Sequence, residues 1–416
     1  MTELIRAFWQ VRLSVLVAAV VTTAAGSLDA REIFVQHQFG DDRNPGTRQA
    51  PVRSIRRAVQ LAKEGDTIHL LPERTVYREM ITLRDKKGIT IEGHNCIISG
   101  ADRLPSDPAK WEKVGDRLYR ISLRRTPQER HLLVVNGRAV TMGRTKYTIQ
   151  AARAGRRGWD AVRQALIAQY PRPSDLSDGQ FAWEPIDRRS GWLYVKGSLA
   201  NLEWSVRTQG VYTDGHTHDI TIRNLHVRHV LNDGFNFHGD AQNIRLINVT
   251  ASECFDNAIS PHGACSFTVE RAQFRASETA VANDFLTETR FVDCVITGSQ
   301  GAEIMIIGGK HLFERCLVRA TAPVAMRLAY RKPGPERPLA LKEIRMSGKD
   351  PTMQPDYTFR DCTVESADET PRTVVIQAGV NVTFVNCQFR RIRFQIDPSA
   401  NVKMIRCTLD GTPLER

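Results

Sequence analysis

The sequence predicts an all-β fold, a parallel β-helix: a solenoid of about 22–24 residues per coil. Three observations predict it. Apolar triplets recur at Ile222/Leu225/Val227, Leu246/Val249/Ala251, Val269/Ala272/Phe274, Phe291/Cys294/Ile296, Phe313/Cys316/Val318, Phe359/Cys362/Val364, Phe384/Cys387/Phe389 and Met404/Cys407/Leu409. Their first members step by 24, 23, 22, 22, 46, 25 and 20 residues. A fixed period in this range marks a repeat array, whose units must stack because none can bury its apolar face alone. Short alternating segments at 220–223 and 382–385 carry the period of two that belongs to strands. The first two members of each triplet are three residues apart, so one flat strand cannot point both inward. A bend is therefore required at the polar residue between them (Asn224, Asn248, Asp293, Asp361, Asn386). Three short strands and three bends fit one coil. The step of 46 reads as two periods, or as one period plus a loop. Helical repeats lack their capped 3.6-residue pattern here, and the leucine-rich signature is absent.

The elements follow in order along the 416 residues. Residues 1–30 read as a secretory signal: Arg6 and Arg12, a largely apolar run from Leu13 to Ala25, then small residues, with cleavage near Ser27 or Ala30. Thirteen such residues are short for a bilayer span, and no later segment is long and apolar enough, so the expectation is a secreted or periplasmic chain with no transmembrane segment after processing. Residues 31–100 form an entry module and the first coils. A strand begins at Ile33, a turn cluster lies at 42–47, and a helix runs from Val52 to Lys63 with Ile55, Ala58, Val59 and Ala62 on one face and Gly65 as its stop. That helix is expected to close the open end of the solenoid. Residues 101–212 break the repeat and hold Trp111, Trp159, Trp183, Trp192 and Trp204. They read as an inserted β-rich subdomain with an aromatic core; 159–170 reads as a short helix. Coils fill 213–416, interrupted by the charged, proline-containing loop Arg331 to Tyr357.

Eight cysteines in an exported chain suggest disulfides, but five (Cys294, Cys316, Cys362, Cys387, Cys407) share one repeat column and read as small buried apolar residues. The formal net charge of +12 suits an anionic partner, such as an acidic polysaccharide. Nucleic acid is disfavoured by export and by the lack of a recognition motif.

The segments 33–35, 42–47 (Asp-Arg-Asn-Pro-Gly-Thr), Ala50-Pro51, Ala58-Val59, 65–68 (Gly-Asp-Thr-Ile) and 76–79 (Val-Tyr-Arg-Glu) resemble the N-terminal motif of exported right-handed parallel β-helix proteins of the pectate-lyase-like superfamily. Trp183 and 191–194 (Gly-Trp-Leu-Tyr) resemble the insertion of large β-helix carbohydrate-active enzymes. The resemblance spans nearly all of the chain after its leader. It implies a right-handed helix and a polysaccharide as partner, in a family holding lyases, glycoside hydrolases, epimerases and members without known activity. The polygalacturonase motif set is not intact, so no catalytic residue is carried over from it.

Chemistry-bearing residues gather on adjacent coils. Residues 232–239 (Asn-Asp-Gly-Phe-Asn-Phe-His-Gly) and 256–263 (Asp-Asn-Ala-Ile-Ser-Pro-His-Gly) are 24 apart throughout, and the next coil continues with Glu278 and Asp284. Stacking yields two polar columns, Asn232/Asp256/Glu278/Gln300 and His238/His262/Asp284, with Phe235, Ile259 and Val281 inward. Removing a proton beside a uronate carboxyl needs a base, and a cation to neutralise that carboxyl. His238 and His262 are the candidate acid/base groups, with Asp233, Asp256 and Arg327 as further catalytic candidates. Asn236, Asn257, Glu278, Asp284 and Lys310 are substrate-binding candidates. Asp256, Glu278 and Asp284 are candidate ligands for calcium. The favoured expectation is a lyase acting on an acidic polysaccharide by β-elimination. The alternatives are a glycoside hydrolase pairing Asp256 with Asp233 or Glu278, and a non-catalytic carbohydrate-binding or envelope protein. His216 and His218 lie just before these coils and read as rim residues or as a solvated loop.

Overall fold

A computed structural model describes residues 30–140, 164, 167, 168, 170–332, 334, 335 and 337–414. The leader, Trp159 and most of the 159–170 segment lie outside the described residues. The rest is a parallel β-helix. Each coil contributes three short strands. The first strands stack into a nine-stranded parallel sheet, in rung order Ile81–Arg84, Val211–Asp214, Phe235–Phe237, Asn257–Pro261, Thr279–Asp284, Ala302–Ile307, Val324–Ala329, Arg372–Ile376 and Ile392–Ile396. The second and third strands meet at the polar bend and together form a 20-stranded sheet.

The repeat columns are the registers of this stack. Ile222, Leu246, Val269, Phe291, Phe313, Phe359, Phe384 and Met404 are paired rung to rung. Phe313 pairs directly with Phe359, so the 46-residue step is one coil plus a loop. The rings stack in near-parallel planes: Phe291 on Phe313 at 4.6 Å, Phe313 on Phe359 at 4.9 Å and Phe359 on Phe384 at 5.1 Å between centroids. Such pairs add ~0.5–1.5 kcal/mol each beyond burial. The five-cysteine column lies beside them in the core, and all eight cysteines are buried, unpaired thiols. Every predicted bend residue is left-handed, with φ of 54° at Asn224, 52° at Asn248, 55° at Asp293, 54° at Asp361 and 53° at Asn386. Asn and Asp tolerate this region best among non-glycine residues. Their side chains also link coils, as Asn248 Nδ2 donates to Asn224 Oδ1 at 2.7 Å.

The helix at the entry is shorter than its pattern, Ile55–Leu61. Ser54 accepts from the Arg57 N–H as N-cap, and Asp42 accepts from the Ser54 hydroxyl at 2.7 Å, so the turn cluster fixes the helix start. Ile55, Ala58 and Val59 join the solenoid core. The insertion consists of two four-stranded antiparallel sheets, and the strand Val211–Asp214 already belongs to the solenoid. Trp111, Trp183 and Trp204 lie in the insertion's own core, the aromatic role expected of them, while Trp192 carries the Arg120 guanidinium over its ring. Within the 331–357 loop lies a helix, Pro338–Ser347, whose Ala340 and Ile344 pack on Ala264, Phe285 and Leu286 at one edge of the nine-stranded sheet. Among the described residues no helix is long and apolar enough to cross a membrane.

Candidate active site on the nine-stranded sheet

Strand alternation sets the floor of the site. Phe235 and Phe237 turn into the core, so Asn236 and the following His238 face outward. The pairing of Phe235 with Ile259, and of Ile259 with Val281, carries the same phase onward and aligns His238, His262 and Asp284 in one column. The two imidazoles stack at 4.3 Å with 15° between their planes.

Their partners differ. His238 Nδ1 lies 2.7 Å from Glu343 Oε1, supplied by the loop helix. Glu343 is 3% exposed and also accepts from the Gly239 N–H. A side chain at Gly263 would collide with Glu343, 2.5 Å from its Oε2. His262 sits between two carboxylates, with Nδ1 3.4 Å from Asp284 and Nε2 3.9 Å from Asp233, and Ser260 Oγ is 3.0 Å from Nε2. Burial alone would lower the His262 pKa, but Asp284 and Asp233 outweigh it and raise it to about 10. His262 is thus an imidazolium at neutral pH, pressed against a neighbour held by a different acid. Tyr212, one rung earlier, is tilted against His238 at 5.9 Å. Burial and nearby carboxylates raise its pKa, so the phenol stays protonated.

Asp233 is a structural knot. It accepts from Asn232 Nδ2 at 2.9 Å, Asn236 Nδ2 at 2.6 Å, Asn257 N at 3.1 Å and Asn257 Nδ2 at 2.8 Å. Asn236 and Asn257 are 1% and 5% exposed, so the structure uses these expected substrate contacts to orient Asp233 instead. Asp256 is 3% exposed and ion-paired at 3.1 Å with Arg130 of the insertion. Arg130 also donates to the Leu231 carbonyl and to Asn232 Oδ1, and lies over Phe255. Glu278 follows Asp256 on the next rung, half-buried against Gly301. Asp256, Glu278 and Asp284 are not drawn into a metal-ligand group among the described residues. Two expectations about grouping are corrected. Lys310 belongs to the 20-stranded sheet, paired with Glu288 and Asp356 beside a cleft of about 530 Å³. The turn at Gly308 and Gly309, with φ of 109° and 82°, carries the chain off the site face just before it. Arg327 is on the nine-stranded sheet but three rungs beyond His262, roughly 14 Å at the usual strand spacing. It lines a separate cleft with Tyr330, Gln377, Gln395 and Asp397.

Glu343 and Arg130 were missed in the sequence because neither belongs to the period. They bound the floor from opposite edges: the loop helix on one side, the insertion on the other. Buried acceptor oxygens of Glu343 (Oε2), Asp284 (Oδ1), Asn236 and Asn257 make no hydrogen bond among the described residues. Such oxygens call for donors.

No family model matches the chain, and no curated protein does. Solved structures do. A protein described as XylC in complex with xylose is 14% identical, with a TM-score of 0.54 over 88% of this chain and 70% of that one. A glycoside hydrolase is 10% identical, with a TM-score of 0.46 over 93% of this chain and 97% of that one. A rhamnogalacturonan lyase is 9% identical, with a TM-score of 0.35 over 87% and 74%. The first of these likenesses is to the fold predicted from the repeats.

Proposed function

We propose that the protein is an exported enzyme that cleaves an acidic, uronate-containing polysaccharide by β-elimination at the histidine column on the outer face of the nine-stranded sheet. The observation that carries this reading is the divided pair of stacked histidines. Glu343 accepts a hydrogen bond from His238 Nδ1–H in the tautomer this reading requires, which leaves Nε2 as the base. His262, held cationic by Asp284 and Asp233 and 4.3 Å away, cannot take the proton itself, which leaves His238 as the base. The uronate carboxyl would be neutralised by a bound calcium ion, with Asp284 as candidate ligand. His238 removes the proton from the carbon next to that carboxyl. The electron pair forms the new C=C bond as the glycosidic C–O bond breaks, and the neutral Tyr212 phenol protonates the leaving oxygen. Arg327, roughly 14 Å along the sheet, suits a carboxyl of a more distant sugar unit. Hydrolysis is less well served, because Asp233 accepts four hydrogen bonds and Asp256 is tied to Arg130.

The test is incubation of the purified protein with pectic, alginate-like and glycosaminoglycan chains, following ultraviolet absorbance of unsaturated ends together with new reducing ends. Both should rise. Reducing ends without absorbance would reject elimination in favour of a hydrolase. Arms with added calcium and with chelator ask whether Asp284 also takes a cation.

A further inference from the structure

We propose that His216, His218 and Asp240 form a binding site for a divalent transition metal, with zinc as the best match. The site lies on the short strand pair His216–His218 and Asp240–Gln242, and it holds whether or not the histidine column cleaves polysaccharide. His216 and His218 flank Thr217 on the short strand His216–His218, and Thr217 is fully buried, so both imidazoles face outward on the same side. That strand pairs in parallel with Asp240–Gln242, which sets His216 opposite Asp240. His216 Nδ1 lies 3.0 Å from Asp240 Oδ2, and His218 Nε2 lies 2.8 Å from the same oxygen. The two rings are nearly perpendicular, at 82°.

Three ligand atoms from three side chains therefore meet at one point, all within 4.8 Å of one another. A tetrahedral zinc with bonds of ~2.0 Å separates its ligand atoms by roughly 3.3 Å. Each nitrogen would need to withdraw from the carboxylate oxygen by a few tenths of an ångström, and the two nitrogens, within 4.8 Å of each other, to settle at the same spacing. Two imidazoles and one carboxylate match the nitrogen and oxygen preference of zinc, and the exposed side of His216 leaves a fourth position for water. The surroundings are built to hold the ligands. Gln242 Nε2 donates to the other Asp240 oxygen at 3.0 Å and to the Ala264 carbonyl at 2.9 Å, while Gln242 Oε1 accepts from Ser266 at 2.7 Å. This is the kind of second layer that fixes a metal-binding carboxylate. Asp85 accepts the His216 N–H and adds negative charge nearby, and Lys87, beside His218, is paired with Glu64.

Tag-free protein stripped with chelator should be titrated with Zn²⁺ against a chromophoric competitor, and with Co²⁺ by visible absorption. The expected result is one equivalent bound, with the intense cobalt bands of four-coordinate N/O ligation. The double substitution His216→Ala with His218→Ala should weaken binding at least 100-fold. Both rings are at the surface, so its circular dichroism should match the unaltered protein. Gln242→Leu should weaken binding about 10-fold to 100-fold by releasing the carboxylate. An unaltered protein that binds no stoichiometric metal, or binding that survives the double substitution, would overturn the assignment.

Discussion

On the 20-stranded side of the solenoid, charge runs in open rows. Arg290 and Arg360 converge on Glu314 at 2.7 and 2.9 Å, and Arg315 meets Asp293 at 2.7 Å, with each arginine about half exposed. Around the histidine column of the nine-stranded side, Asp233, Asp256 and Glu343 are buried, and the charges come from three places: the coils, the insertion through Arg130, and the loop helix through Glu343. Exposed pairs of the first kind are worth ~0–1 kcal/mol and are screened by salt. Buried groups of the second kind set one another's protonation. The difference teaches that repetition makes the scaffold, and that the segments which interrupt it confine and tune a site.

The largest expected effect separates the two faces. His238→Ala should reduce turnover of the cleaved polysaccharide by ~10²–10⁴-fold, the range of a positioned general base. Arg290→Ala should change it by less than about twofold, since its pair is exposed. Next comes Glu343→Gln, which keeps the shape but removes the charge that fixes His238. A loss on the order of 10² in kcat with little change in KM is expected, with a shifted pH profile. A merely structural Glu343 would move folding stability instead, so thermal unfolding is measured alongside.

Arg130→Met tests the seam with the insertion. It leaves Asp256 buried without its arginine, and breaking one side of such a pair costs ~3–5 kcal/mol, read by denaturant unfolding. A smaller effect is a pH dependence from His262. Its folded pKa of about 10 lies above the ordinary 6.5, so its contribution is fully present below pH 6.5 and is lost as pH rises through 10. With the ring partly exposed, about 1–2 kcal/mol is expected over that window. Asp284→Asn should flatten that slope. The smallest effect belongs to the bend column. Asn248→Ala should cost ~1–2 kcal/mol, because alanine resists the left-handed region and loses the link to Asn224. Asn248→Gly should recover part of it.

The repeating parts of this molecule are legible in its sequence. The triplets became registers, and Asn224, Asn248, Asp293, Asp361 and Asn386 became left-handed bends, because a period of one coil forces equivalent residues into contact. The histidine column was legible for the same reason. Arg130 and Glu343 were not, since their partners lie 126 (Asp256 − Arg130) and 105 (Glu343 − His238) residues away in sequence. No local pattern encodes contacts made by an insertion folding back. Lys310 falls outside the site because spacing places a residue on a coil but does not say on which side of the Gly308–Gly309 turn it lies.

The most direct measurement compares unaltered protein, His238→Ala and Arg290→Ala on the same acidic polysaccharide, by the rate of ultraviolet absorbance from unsaturated ends, with folding checked for each. If the histidine column of the nine-stranded sheet performs the elimination, absorbance develops for the unaltered protein and for Arg290→Ala and collapses for His238→Ala. Undiminished absorbance from a folded His238→Ala protein would contradict it.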